Sequence, residues 1–147
     1  MTTGLGALLL EDLGRYVPAT ALAPLSPDAP LTPSALADRA VRGLAPAVLE
    51  RLGADEAARR IRVLAALTGS DIARATMPAL ERIARATGAP ADPIRAASQC
   101  AGALLRVESR GGEEPGSVQL VAAVTRLVNA AVRAGLPAAD AVAILAH

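Results

Sequence analysis

The sequence predicts an all-α protein: a compact irregular or orthogonal bundle of about six to seven helices, with a proline-rich arm after the first helix. Alanine and leucine, which favour helices, supply 36 and 21 of the 147 residues. Apolar residues recur three and four positions apart, which is the spacing of one helix face. Prolines and glycines cut this pattern into segments, and no segment is convincing as a strand.

The chain divides into three predicted parts. Residues 1–16 form an N-terminal amphipathic helix, with leucines along one face between residues 4 and 16. Residues 17–32 form a proline-rich arm or linker, because proline lacks a backbone donor and disfavours helix in the residue before it. The apolar residues of this arm favour an ordered loop over the core rather than a free tether. Residues 33–147 form the helical bundle domain.

The bundle is expected to open with two short helices. Thr32 is a suitable N-cap, and Pro33 suits the first helical position after it. We expect Gly43 to end this helix. A second helix then begins at Pro46, and Gly53 ends it, since glycine commonly follows the last helical residue.

The longer helices follow where the apolar spacing continues. Pro78 falls inside one of them and is expected to kink or split it. Serine and aspartate supply two further caps, Ser117 and Asp92, while Gly88 and Gly135 supply two further ends. The predicted helices are residues 54–68, 70–87, 92–107, 117–134 and 137–146.

Composition excludes several classes of protein. One cysteine forms no internal disulfide, which argues against a disulfide-stapled secreted scaffold. No apolar stretch approaches the roughly 20 residues of a membrane-spanning helix, and residues 1–10 lack the basic start of a secretory signal. We therefore expect a cytoplasmic protein without a membrane partner.

The basic residues are all arginine, which together with the alanine content is typical of a high-GC bacterial genome.

Catalytic machinery is not evident in the sequence. The single histidine, His147, is the last residue, and chain ends fray. Acidic residues are scattered, and most have an arginine partner at helical spacing, which is typical of solvated faces rather than metal sites. The loop 109–116 lacks the Lys-Ser/Thr ending of a phosphate-binding loop. We predict no catalytic residue, cofactor or metal.

The favoured function is therefore non-enzymatic, through protein–protein contacts, as an adaptor or assembly subunit that pairs with another protein or with itself as a homodimer. The helix over residues 117–134 has a wide apolar face. Such a face predicts either a central helix or a homodimer seam, and both alternatives stay open here. The candidate partner surface consists of Leu120, Val121, Val124, Val128 and Val132.

The first alternative is a DNA-binding regulator. Residues 80–90, LERIARATGAP, resemble the second helix and turn of a helix-turn-helix unit. The resemblance implies a recognition helix opening at residues 94–97 and a wing at 110–116. Ser98 and Ala101 depart from the large apolar residues usual there, and residues 55–95 carry a net charge of only +2. The candidate DNA contacts are Arg85, Arg95 and Gln99.

The second alternative is an apolar small-molecule binder or cofactor-free catalyst. A kink at Pro78 is expected to open a cavity inside the bundle. Such a pocket shapes a ligand by enclosure and needs few polar groups. The candidate pocket residues are Met77, Leu80, Cys100 and Leu104.

Overall fold

The computed structural model describes residues 4–26, 31–64, 69–109 and 114–146. All regular elements in these ranges are helical, which confirms the predicted all-α bundle. A π-helical segment, Arg39–Leu44, joins α2 to α3 without a break, so the described ranges contain seven helices beside one 3-10 turn at Ala19–Leu22. The bounds are α1 Leu5–Leu13, α2 Pro33–Asp38, α3 Ala45–Arg51, α4 Asp55–Leu64, α5 Gly69–Thr87, α6 Ala91–Ser109, α7 Glu114–Arg133 and α8 Ala138–Ala146.

Several predicted helix ends are confirmed. The Thr32 side chain accepts a hydrogen bond of 3.1 Å from the backbone N–H of Ala35, and Pro33 is the first residue of α2. Glycines follow α3, α5 and α7 with φ values of +80° at Gly53, +64° at Gly88 and +96° at Gly135. Other residues rarely adopt this left-handed conformation, so glycine is the residue that these three turns require.

Gly43 does not end a helix, so that prediction is wrong. The chain passes through Gly43 in the π-helical segment and continues into α3. Pro46, at the start of α3, has no N–H for the carbonyl one turn earlier, and the wider π-helical turn accommodates this loss. Gly43 instead allows α8 to approach: a Cβ at this position would lie 2.8 Å from Cγ2 of Ile144.

Two predicted caps are also misplaced. α6 begins at Ala91, one residue before Asp92, and α7 begins at Glu114, three residues before Ser117. In α7 the early start has a clear reason, because Pro115 suits the first turn of a helix, where a missing N–H has no consequence. α5 runs from Gly69 to Thr87 through Pro78, which therefore does not split it.

The core is built around the antiparallel pair α6 and α7. The first half of α6 lies beside the second half of α7, and α7 also contacts α1, α2, α3 and α8. α1 packs on α7 of its own chain and buries Leu9 and Leu13 completely. In the arm, Val17, Ala21 and Leu25 are buried, and the 3-10 turn contacts α8. Residues 17–26 therefore lie against the bundle.

The described helices include none that is both long and apolar enough to cross a lipid bilayer.

Candidate functional site

The residues of the candidate partner surface lie mostly in the core. Leu120, Val124 and Val128 are completely buried, and Val121 is 4% exposed. Val132 is 38% exposed, near the end of α7. The sequence left α7 as either a central helix or a homodimer seam. In the structure α7 is a central helix, because the chain's own helices cover its apolar face. These four residues do not form a surface that a partner can reach.

The candidate pocket residues are core residues as well. Leu80, Cys100 and Leu104 belong to the buried core cluster. The side chain of Met77 lies outside the described residues. A ligand cavity among the first three would require the core to open, so the geometry does not support the predicted apolar pocket.

Cys100 is a buried thiol rather than a nucleophile. Burial raises its pKa to about 12, because desolvation disfavours the thiolate. The thiolate is the reactive form, so the folded protein presents an inert cysteine near neutral pH. Cys100 packs in the core with zero exposure.

The raised pKa of Cys100 predicts a stability change at alkaline pH. The unfolded thiol ionises near pH 8.5–9 while the folded thiol stays protonated to about pH 12, so the unfolded state loses the proton first. The stabilisation that the protonated Cys100 thiol gives the folded state is fully present below about pH 8.5. It is lost as pH rises toward 12. We expect the free energy of unfolding to fall less steeply over this window in Cys100→Ala than in wild type. Urea titrations followed by circular dichroism give the free energy of unfolding at each pH. The same fall with pH in both proteins would contradict this prediction.

An open groove lies between the N-terminal half of α6 and the C-terminal half of α7, with the end of α3 at one side. Its volume is about 720 Å³. Two of the candidate DNA contacts, Arg95 and Gln99, line it, whereas Arg85 does not. The lining residues are Leu52, Pro90, Ala91, Asp92, Pro93, Arg95, Ala96, Gln99, Arg126, Asn129, Ala130, Arg133 and Ala134.

The groove has an excess of positive charge. Arg95, Arg126 and Arg133 line it with one carboxylate, Asp92, which leaves a formal charge of +2. Within the described part of the chain, none of these three arginines forms an ion pair. Arg126 donates a hydrogen bond of 2.9 Å to Oε1 of Gln99, which ties α7 to α6.

Several arginines elsewhere pair with neighbouring carboxylates. Arg59 and Arg60 both pair with Glu56, and the hydrogen bond from Arg60 is the main reason that the pKa of Glu56 lies below its usual value. Arg62 pairs with Glu50 in the same way. The three groove arginines, in contrast, have no carboxylate within ion-pair distance among the described residues.

The groove also has an apolar part. Leu52 lines the groove and is 43% exposed, although leucine is usually covered, and Pro90 is a further apolar lining residue. Ala130 and Ala134 provide small side chains between and beside the arginines of α7. Arginines without ion pairs, together with apolar lining residues, suit a polypeptide that carries both carboxylate and apolar side chains.

The helix-turn-helix comparison has a mixed outcome. α5, the turn at Gly88 and α6 follow one another as the resemblance implies. Ile94 and Ala97 face the core, while Arg85 and Arg95 are exposed. The resemblance implies a wing at residues 110–116. Residues 110–113 lie outside the described chain, and residues 114–116 are the start of α7.

Metal ligation finds no support in the described residues, where no group of three histidine, cysteine, aspartate or glutamate side chains comes together.

No known protein family, curated protein or solved structure matches this chain.

Proposed function

We propose that this chain is a non-enzymatic protein that acts through protein–protein contacts, as an adaptor or assembly subunit, and that its partner binds in the groove between α6 and α7. The observation that carries the proposal is the set of three arginines that share this groove without an ion pair among the described residues. Arginine is enriched at protein interfaces and among the residues that carry most of their binding energy.

The groove fits a protein better than a buried small molecule. It is an open groove rather than an enclosed cavity, whereas ligand pockets enclose most of their ligand. A single buried thiol with no disulfide partner suits a reducing compartment, and we place the activity in the cytoplasm.

Self-association through α7 stays a prediction, and the exposed residues of α7 add no continuous apolar face to support it. The exposed valines of α7 are Val118 and Val132. They are 14 residues apart, or about 21 Å along the helix axis, with buried residues between them. Two separate valines do not make the continuous apolar face that a homodimer seam needs. We therefore propose a different protein as the partner.

Site-specific photo-crosslinking in the producing cells tests the proposal. A photoreactive side chain replaces Leu52 at the groove rim, and the matched control replaces Val63, an apolar residue of α4 that is 69% exposed. We expect a discrete protein adduct from position 52 and none of the same mass from position 63. The adduct should disappear when Arg133→Glu is added. The absence of an adduct at position 52, or the same adduct at both positions, would contradict the proposal.

A further inference from the structure

The arginine spacing on α7 defines what the partner must carry. Arg126 and Arg133 both line the groove and are seven residues apart, which is close to two full helical turns. They therefore lie on one face of α7, with their Cα atoms about 10 Å apart along the axis. Arg95 lines the groove from α6, so both helices that form the groove contribute positive charge.

Carboxylates are the natural counterpart of these side chains. The planar guanidinium fork binds both oxygens of a carboxylate at once, which gives direction as well as attraction. A partner helix carries two carboxylates at the required separation when its acidic residues are seven positions apart. Since Ala130 lies between the two arginines on the same face of α7, an apolar side chain between the two acidic residues fits beside it.

We infer that the groove binds an acidic helical segment of another protein, one with two carboxylate side chains seven residues apart and an apolar residue between them. This inference rests on the proposed function and adds the chemical class of the partner. The charge complementarity of the groove carries it, because the three arginines lack carboxylate partners among the described residues.

Nucleic acid fits these observations less well. A duplex is held by many phosphate contacts, and a formal groove charge of +2 supplies few of them. The exposed Leu52 offers nothing to a sugar-phosphate backbone. Gln99, a candidate base reader, already accepts a hydrogen bond from Arg126.

Peptide binding to the full chain tests the inference. The probe is a labelled helical peptide with glutamates seven residues apart and a leucine between them, measured by fluorescence anisotropy in 50 mM salt. Its matched control has glutamines in place of the two glutamates. We expect the glutamate peptide to bind at least about tenfold more tightly than the glutamine peptide. The control peptide lacks the two charge-assisted hydrogen-bonded pairs between glutamate and arginine. Raising the salt to 500 mM should weaken binding of the glutamate peptide alone.

Two arginine variants locate the binding. Arg133→Gln should weaken the glutamate peptide about three- to tenfold. Arg85→Gln removes an exposed arginine outside the groove and should have no effect. A short DNA duplex serves as the competing probe: if it binds more tightly than the peptide and Arg85→Gln weakens it, the acidic-segment inference is overturned in favour of nucleic acid.

Failure of this inference is distinguishable from failure of the proposed function. Equal binding of the glutamate and glutamine peptides, or binding of neither, would overturn the acidic-segment inference. A specific adduct at position 52 in cells would then still support a protein partner in the groove, of different chemistry.

Discussion

Leu120→Ala is expected to lower the free energy of unfolding by about 2–5 kcal/mol, the range for removing a leucine side chain from a closed core. Leu120 is completely buried on α7, among helices that contact α7 from several sides. Its matched control is Val118→Ala, two positions earlier on the same helix, where the side chain is 49% exposed. The control should change stability by less than about 0.5 kcal/mol. Urea unfolding followed by far-ultraviolet circular dichroism measures both.

This comparison distinguishes a core helix from a partner surface. If Leu120 belonged to a partner surface, its truncation would leave the isolated chain nearly as stable as wild type and would weaken only the complex. A change below about 0.5 kcal/mol in Leu120→Ala would therefore contradict the central position of α7.

Gly43→Ala is expected to destabilise the protein by about 1–3 kcal/mol, the range for forcing an added methyl group into a packed site. The new Cβ would lie 2.8 Å from Cγ2 of Ile144, and this methyl group sits on a branched carbon that has few alternative rotamers. Arg39 holds α8 in place nearby, because its Nη1 donates a hydrogen bond of 3.0 Å to the Leu145 carbonyl. α8 therefore resists the shift that would relieve the contact.

A second substitution tests this cause. In an Ile144→Ala background the obstructing methyl group is absent, and Gly43→Ala should then be neutral or stabilising by up to about 1 kcal/mol, because alanine favours helix over glycine. Chemical unfolding of the four proteins in the cycle gives the coupling between the two positions. Equal destabilisation by Gly43→Ala in both backgrounds would show that the close approach is not the reason for glycine here.

Much of the fold was predictable from local sequence. Thr32 with Pro33 marks a helix start because hydroxyl capping and a fixed proline φ act within one turn. Gly53, Gly88 and Gly135 mark helix ends for an equally local reason. The prediction for Gly43 is wrong because a glycine that permits close packing and a glycine that ends a helix look alike in one sequence. The difference lies in α8, about 100 residues later.

The groove was not predictable from the sequence, because the sequence shows its residues but not that they lie together in space. The polar stripe of α7 that includes Arg126, Asn129 and Arg133 resembles an ordinary solvated face. The sequence predicts Arg95 and Gln99, on α6, as DNA contacts rather than as part of a shared groove. That these residues share one groove follows from the antiparallel packing of α6 on α7, which hydrophobic spacing does not specify. The same packing explains why the valine face of α7 is core.

Binding of an acidic protein segment in the groove between α6 and α7 is best tested by arginine-selective NMR. The Nε–Hε signals of the full chain are recorded while the glutamate peptide is added. We predict shifts at Arg95, Arg126 and Arg133 with no change at Arg59 and Arg60, which pair with Glu56 on α4. Shifts at the α4 arginines without shifts in the groove, or no shift at saturating peptide, would contradict this assignment.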